Sequence, residues 1–431
     1  MLLMPFQILG AFFRAILSIA LLAGGVYLLK QWYDHREVVI DRPANVVLRE
    51  QDPADFNAEP KPGDKRRVVD QTADGRAIVW WKFGWNRETA FLLGGLGLML
   101  WSLGGSFFYP TILRSPGDDE PKTSREEGEV RRIKRDDGTQ LYVELLGPPD
   151  GVPIVLTHGW GLDSDEWFYA KRLAQKYRVI VWDLAGLGQS KGPTNKDWSL
   201  EKLAGDLDAV LSLAGERRAF LLGHSIGGMI LLTYAKRFPD ALKQRVAGMM
   251  IVHSTFTNPC RTAKWASVYT ALQKPVLEPL CWLMIVLAPL FWLTNWLSYL
   301  NGSAHRSTSR QSFSGRETRG QLNFITRYYL WTWPSVVARG FLGMFRYDAT
   351  DVLPRVATPT LVVAADRDEL CVPEASRYMA HAMPHARLAT IHDARHCGLF
   401  ERHERFDALI DEFIGETTSP TVPAGKTSAS K

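Results

Sequence analysis

Three short segments carry side chains that could act together on a carbonyl group. Ser225 sits in "GHSIG", residues 223–227, with a further glycine at 228. Small residues on both sides let a strand turn sharply into a helix, holding the hydroxyl out at the bend. A serine hydroxyl at its free pKa is a weak nucleophile, so a base must take its proton. "LVVAADRDELCVPE" supplies Asp366 and Asp368, and "LATIHDARHCGLFE" supplies His392 and His396. In both, a strand-like apolar run leads into the titratable residues. An acid in the loop reaches an imidazole more freely than one at the strand end, which favours Asp368 over Asp366. His392 reads as a strand-end residue and His224 as a packed one. Serine, acid and histidine in that order suit acyl transfer through a serine ester.

These side chains need a frame. Strand-like runs at 140–147, 153–158, 177–183, 219–224 and 246–253 alternate with helical patterns at 166–175, 200–213 and 226–238. The alternation resumes with runs at 359–366 and 386–392 and a final helix at 404–414. Strands alternating with helices imply right-handed crossovers and a mostly parallel sheet flanked by helices, an α/β class.

The N-terminal part is different. From Ile8 to Leu29 the only charge is Arg14, and from Ala90 to Tyr109 there is none. Either run is long enough to cross a hydrocarbon layer of about 30 Å. The first lacks a basic leading segment and a small-residue cleavage site at Tyr27-Leu28-Leu29, so it reads as a retained anchor. Gly94, Gly95, Gly97, Gly104 and Gly105 would let the two helices approach closely. Lys30, Arg36, Lys82 and Arg87 would keep the intervening loop cytoplasmic, whereas Arg114, Lys122 and Arg125 argue the reverse, so orientation stays open.

The resulting organisation is a first transmembrane helix (1–35), a polar insert (36–87) with a short strand at 77–81, a second transmembrane helix (88–110) and a charged linker (111–129). A core in two parts (130–254 and 351–416) encloses a cap (255–350), and a Ser/Thr/Pro-rich tail (417–431) reads as disordered. Residues 279–300 are uncharged and long enough for a third span. A single crossing there would split one sheet across the bilayer, so an apolar cap able to dip into the lipid surface is the better reading. Trp282, Trp292, Trp296 and Tyr299 suit that interface or the cap's own core. Of 431 residues, 46% are hydrophobic and 23% charged, with a net charge of +5. Acidic residues interleaved with basic ones argue against a dedicated nucleic-acid binder. Cys260, Cys281, Cys371 and Cys397 lack metal-ligand spacing.

Over about 130–414 the chain resembles the α/β-hydrolase family. The matching pieces are "HGWG" at 158–161, "DLAGLGQS" at 183–190, "GHSIGG" at 223–228, "DRDELCVP" at 366–373 and "HCGLFER" at 396–402. The resemblance implies Ser225 as nucleophile, Asp368 as orienting acid and His396 as general base. It also implies an oxyanion hole from the backbone N–H groups of Trp160 and Ile226, with His158 shaping that loop, and a reaction needing no metal or organic cofactor. Two spans and an apolar cap add the expectation of a membrane-anchored esterase or lipase acting on small-molecule or lipid esters. Acyl transfer to an alcohol, other chemistry on the same triad, and a catalytically idle membrane scaffold are the alternatives.

Overall fold

The computed structural model describes residues 4–35, 38–40, 66–67, 79–81 and 87–418. The disordered tail expected from 417 falls, beyond Thr418, outside the described residues, as does most of the polar insert. The chain divides into two compact units, one of Ile16–Gly105 and one of Met1–Ala15 with Ser106–Lys431.

In the smaller unit lie most of helix α1 (Met4–His35) and of helix α2 (Arg87–Leu113). Strands β1 (Val38–Ile40), β2 (Arg66–Arg67) and β3 (Val79–Trp81) form a small sheet in the order β2-β1-β3. Both helices hold 27-residue stretches long and apolar enough to cross a membrane. They meet closely at Gly95, where a Cβ would lie 2.8 Å from Leu29 Cγ. Gly97, expected at this contact, has nothing within 4 Å of such an atom and faces away. Gly25, unremarked in the sequence, packs on Met99 instead.

The larger unit is built on an eight-stranded sheet. Its strands are β4 (Glu129–Lys134), β5 (Gln140–Leu146), β6 (Pro153–Thr157), β7 (Arg178–Trp182), β8 (Ala219–His224), β9 (Val246–Val252), β10 (Thr360–Ala365) and β11 (Ala386–Ile391). The order is β11-β10-β9-β8-β6-β7-β5-β4, and β5 alone runs against the rest. Strands β6, β8 and β10 are buried along their whole length. Helices covering both faces explain their unbroken apolar sequences. Helices α3 (Leu200–Leu211) and α4 (Ile226–Arg237) follow β7 and β8, and α5 (Pro239–Arg245) leads into β9.

One expected helix is corrected and two elements are added. Residues 166–175 form two 3₁₀ turns, Ser164–Trp167 and Ala170–Gln175, rather than one α-helix. The Asp163 side chain caps the first turn, and all four of its residues are buried, so polar groups here serve backbone donors rather than a helix ladder. The first residues of the core, directly after the linker, form edge strand β4, which was not anticipated and whose sequence EVRRIK is mostly exposed. The helix Pro373–Ala382 after β10 was not anticipated.

Between β9 and β10 the chain forms an all-helical cap. Its ends return together, with Thr257 bridging Asp348, so the segment leaves and re-enters the core at one place. The uncharged run is divided into Glu278–Val286 and Ala288–Leu300, and the helical stretch Ala266–Val286 meets the second at 95°. Pro289, in the first turn of the second helix, has no N–H to continue the ladder and would clash with the preceding turn. Within the larger unit, the C-terminal end of α2 is fastened to the cap. Arg319 donates to the carbonyls of Thr111 and Arg114 at 3.3 Å, and Arg114 Nε donates to Glu317 at 2.8 Å. Arginines thus satisfy orphan carbonyls at the end of α2.

Candidate active site

Ser225 occupies the junction of β8 and α4 with φ 54° and ψ −117°, a conformation that L-residues adopt only under constraint. The constraint is visible. A Cβ on Gly223 would stand 2.3 Å from the Gly227 carbonyl carbon, and one on Gly227 the same distance from the Thr157 oxygen. Only glycine at both positions allows the turn. Ser225 N–H donates to Val252 O at 2.9 Å, and Ser254 Oγ donates to Ser225 O at 2.5 Å.

The loops after β10 and β11 bring the other two side chains to this hydroxyl. His396 Nε2 lies 2.9 Å from Ser225 Oγ, and His396 Nδ1 donates to Asp368 Oδ2 at 2.8 Å. Asp368 Oδ1 accepts the N–H groups of Leu370 at 2.7 Å and Cys371 at 3.1 Å. Burial alone would raise this carboxyl, but His396 and the backbone donors hold it below its ordinary value. The alternative acid, Asp366, pairs instead with exposed His392 at 3.3 Å and accepts from Ala394 N–H. The arrangement can hand a proton from an attacking hydroxyl to an imidazole oriented by a carboxylate.

Trp160 follows β6, and Ile226 is the first residue of α4. Among the described residues no acceptor takes the N–H of either. The Trp160 loop is tied to the cap: its indole Nε1 donates to Val337 O at 3.0 Å, and Thr332 Oγ1 donates to Gly161 O at 2.8 Å. His158 is buried, accepts Leu184 N–H at 2.9 Å and donates to Gly159 O at 2.8 Å. Its place beneath the loop fits a shaping role.

Sequence reasoning missed a second polar layer. Glu166 accepts Gly159 N–H at 2.8 Å and stands 2.5 Å from His224 Nδ1, an ion pair off the line of a good hydrogen bond. Burial opposes charge on both, yet their mutual attraction wins, so Glu166 is lowered and His224 raised. His224 Nε2 and His253 Nδ1 both donate to the His396 carbonyl, at 3.0 and 2.9 Å. Burial pushes His253 down to about 3, so it is neutral. A second cluster gathers Arg125 from the linker with Asp163, Asp165 and Asp183, joined from the cap by Arg327 and Tyr328. Burial and Asp183 raise Asp163 to about 7, with Arg125 opposing. A spacing of 38 residues or more from Arg125 to each acid gave no local signal.

A cavity of about 140 Å³ opens over Ser225 and His396. Trp160 and Leu162 line it from the core, Phe291, Tyr328 and Phe341 from the cap, and Ile8, Ala11 and Arg14 from the first turns of α1.

Residues 152–403, more than half of the chain, match the family described as alpha/beta hydrolase fold. The chain belongs to the α/β-hydrolase family. This α/β-hydrolase is 26% identical over 283 residues to RutD of Stutzerimonas stutzeri (strain A1501), whose assigned name, carbamate hydrolase, is provisional. That match covers 64% of this chain and 97% of the relative. An esterase from Thermogutta terrifontis shares the fold with a TM-score of 0.56 at 24% identity, covering 68% of this chain and 100% of its own. Est816, described as an N-acyl homoserine lactone degrading enzyme, gives 0.52 at 26% identity over 66% of this chain and 100% of its own. The family match begins after both long apolar helices.

Proposed function

We propose that this α/β-hydrolase is a membrane-anchored serine hydrolase that cleaves carboxylic esters of apolar acids through an acyl-enzyme. The observation that carries the reading is the unbroken path from Ser225 Oγ through His396 to Asp368. As Ser225 Oγ bonds to the ester carbon, its proton passes to His396 Nε2, and the N–H groups of Trp160 and Ile226 hold the oxyanion. Collapse breaks the bond to the alcohol oxygen, which leaves with the proton from His396. Water, deprotonated by the same imidazole, then attacks the acyl carbon, and the acid departs as Ser225 regains its proton.

Anchoring rests on α1 and α2. The cap supports a lipid setting, for Trp282, Val286 and Leu293 are 51%, 74% and 53% exposed, a cost in water but a gain at a bilayer surface. The likeness to RutD favours a second reading, in which the same serine attacks a carbamate.

The test is fluorophosphonate labelling, followed by a chain-length series of p-nitrophenyl esters with and without micelles. Wild-type protein should be labelled at Ser225, and Ser225→Ala should lose label and on the order of 10⁴–10⁶ in turnover while keeping its fold. Unchanged turnover in purified Ser225→Ala ends the nucleophile assignment. Preference for short soluble esters, unaffected by micelles, ends the lipid reading.

A further inference from the structure

The proposed chemistry leaves one charged side chain of the cavity without a role. Arg14 is the only charge between Ile8 and Leu29, and it is 5% exposed. A guanidinium in an apolar run is expensive, and such residues face protein interiors and functional cavities. Here it lines the cavity that holds Ser225 and His396. Its Nη1 donates to Ser307 Oγ at 3.0 Å, which holds the head against the cap helix Ser303–Ser312.

The turns around it are wall rather than tether. Ile8 is 1% exposed and lines the same cavity with Ala11, while Phe12 meets Phe291 edge-on at 4.5 Å. The other polar side chains lining this space include Asn295, Thr308, Ser312 and Thr332, and no carboxylate is among the described lining residues. A planar cation with hydroxyl and amide groups near it is the donor set that takes a phosphate or carboxylate.

We propose that the cavity accepts an ester whose alcohol part carries an anionic group, with Arg14 receiving that group while the carbonyl rests at Ser225. The N-terminal helix is then part of the binding site as well as an anchor. The substrate class is an anionic acyl ester such as an acylglycerol phosphate. This inference rests on the serine-ester reading above.

The experiment uses the full chain in detergent micelles and two esters with the same chain and carbonyl, 1-decanoylglycerol and 1-decanoylglycerol 3-phosphate. Their kcat/KM ratio is measured in wild type, Arg14→Gln and Arg14→Lys. A charge-assisted contact predicts that Arg14→Gln lowers the phosphate-to-neutral ratio by about 10- to 100-fold, mainly through KM for the phosphate ester, and that Arg14→Lys recovers part of it. An unchanged ratio, or an equal loss on both esters, overturns the subsite. A butanoyl pair in micelle-free buffer separates the two sources of such a ligand. The same Arg14-dependent ratio there assigns the site to soluble phosphorylated esters as well, and its restriction to the decanoyl pair assigns it to a lipid headgroup. Fluorophosphonate labelling of Ser225 accompanies each variant. Wild type that neither labels nor turns over removes the serine reading and the subsite with it; intact labelling with an unchanged ratio removes the subsite alone.

Discussion

Glu166→Gln reaches the site through the groups that hold it. The native carboxylate is 2% exposed, accepts Gly159 N–H and faces His224, which in turn supports the His396 carbonyl. Glutamine keeps the size and an acceptor for Gly159 but removes the charge. Breaking a buried ion pair from one side commonly costs about 3–5 kcal/mol, because the surviving charge is stranded. Here the survivor is an imidazole that can release its proton near neutrality, so the loss is of hydrogen-bond size, about 1–3 kcal/mol. At about 2–4 °C per kcal/mol, melting falls by roughly 2–12 °C. The pH dependence has a definite sign. His224 is raised, so its contribution is complete below its ordinary 6.5 and is lost as pH rises through the folded value. Glu166 is lowered, so its contribution is complete above its ordinary 4.5 and is lost as pH falls through the folded value. The wild-type advantage is therefore greatest between those two values and narrows at alkaline pH. Circular-dichroism melts of both proteins in one detergent, at about pH 5.5 and pH 8.5, check this. A gap that widens at the higher pH refutes the reasoning.

Asp368→Asn should reverse the hydrogen-bonding sense at His396 Nδ1 and reduce turnover on the order of 10³–10⁴, with Asp366→Asn close to wild type; comparable losses in the two would show that Asp368 does not orient the base. Arg125→Met leaves Asp163 and Asp183 without their cation, with Arg327 still on Asp165, and should cost about 3–5 kcal/mol in thermal or denaturant unfolding. Asp163 is raised to about 7, so folding favours its protonated form and stability falls as pH rises from its ordinary 3.8 towards that value. The Arg125→Met loss should accordingly be larger at alkaline than at mildly acidic pH, and a second change, Asp163→Asn, should relieve it. Val286→Glu, on the exposed cap face, should lower hydrolysis of micellar esters more than that of p-nitrophenyl butyrate; equal effects on both would argue against a lipid-facing cap.

Most of the sheet was legible because its inner strands are covered on both faces and so are written as unbroken apolar runs, as in "PIVLT" and "TLVVAA". Strand β4 was not, since an edge strand of sequence EVRRIK exposes much of its length and reads like the charged linker before it. The turn at Ser225 could be read from its glycines, whose reason is local: backbone atoms pass where a Cβ would stand. The preference for Asp368 over Asp366 could be argued from the freer reach of a loop acid, but the partner of each, His396 for Asp368 and His392 for Asp366, emerges only from the two loops in space. Glu166, His253 and Arg125 left no trace in the sequence. Their partners are distant in the chain, and an isolated acid, imidazole or guanidinium reads like any surface residue until burial and pairing are known.

The stitching of linker, cap and apolar helices bears on how the protein can be handled. Starting the chain at Val130, to obtain a soluble catalytic piece, would delete Arg125 and leave Asp163, Asp165 and Asp183 crowded without their shared counter-ion. It would also strip Ile8, Ala11 and Arg14 from one side of the cavity and Arg114 from its bond to Glu317. Such a truncation product would combine an intact serine, histidine and aspartate with a breached chamber, and its substrate profile would describe the wound rather than the native protein.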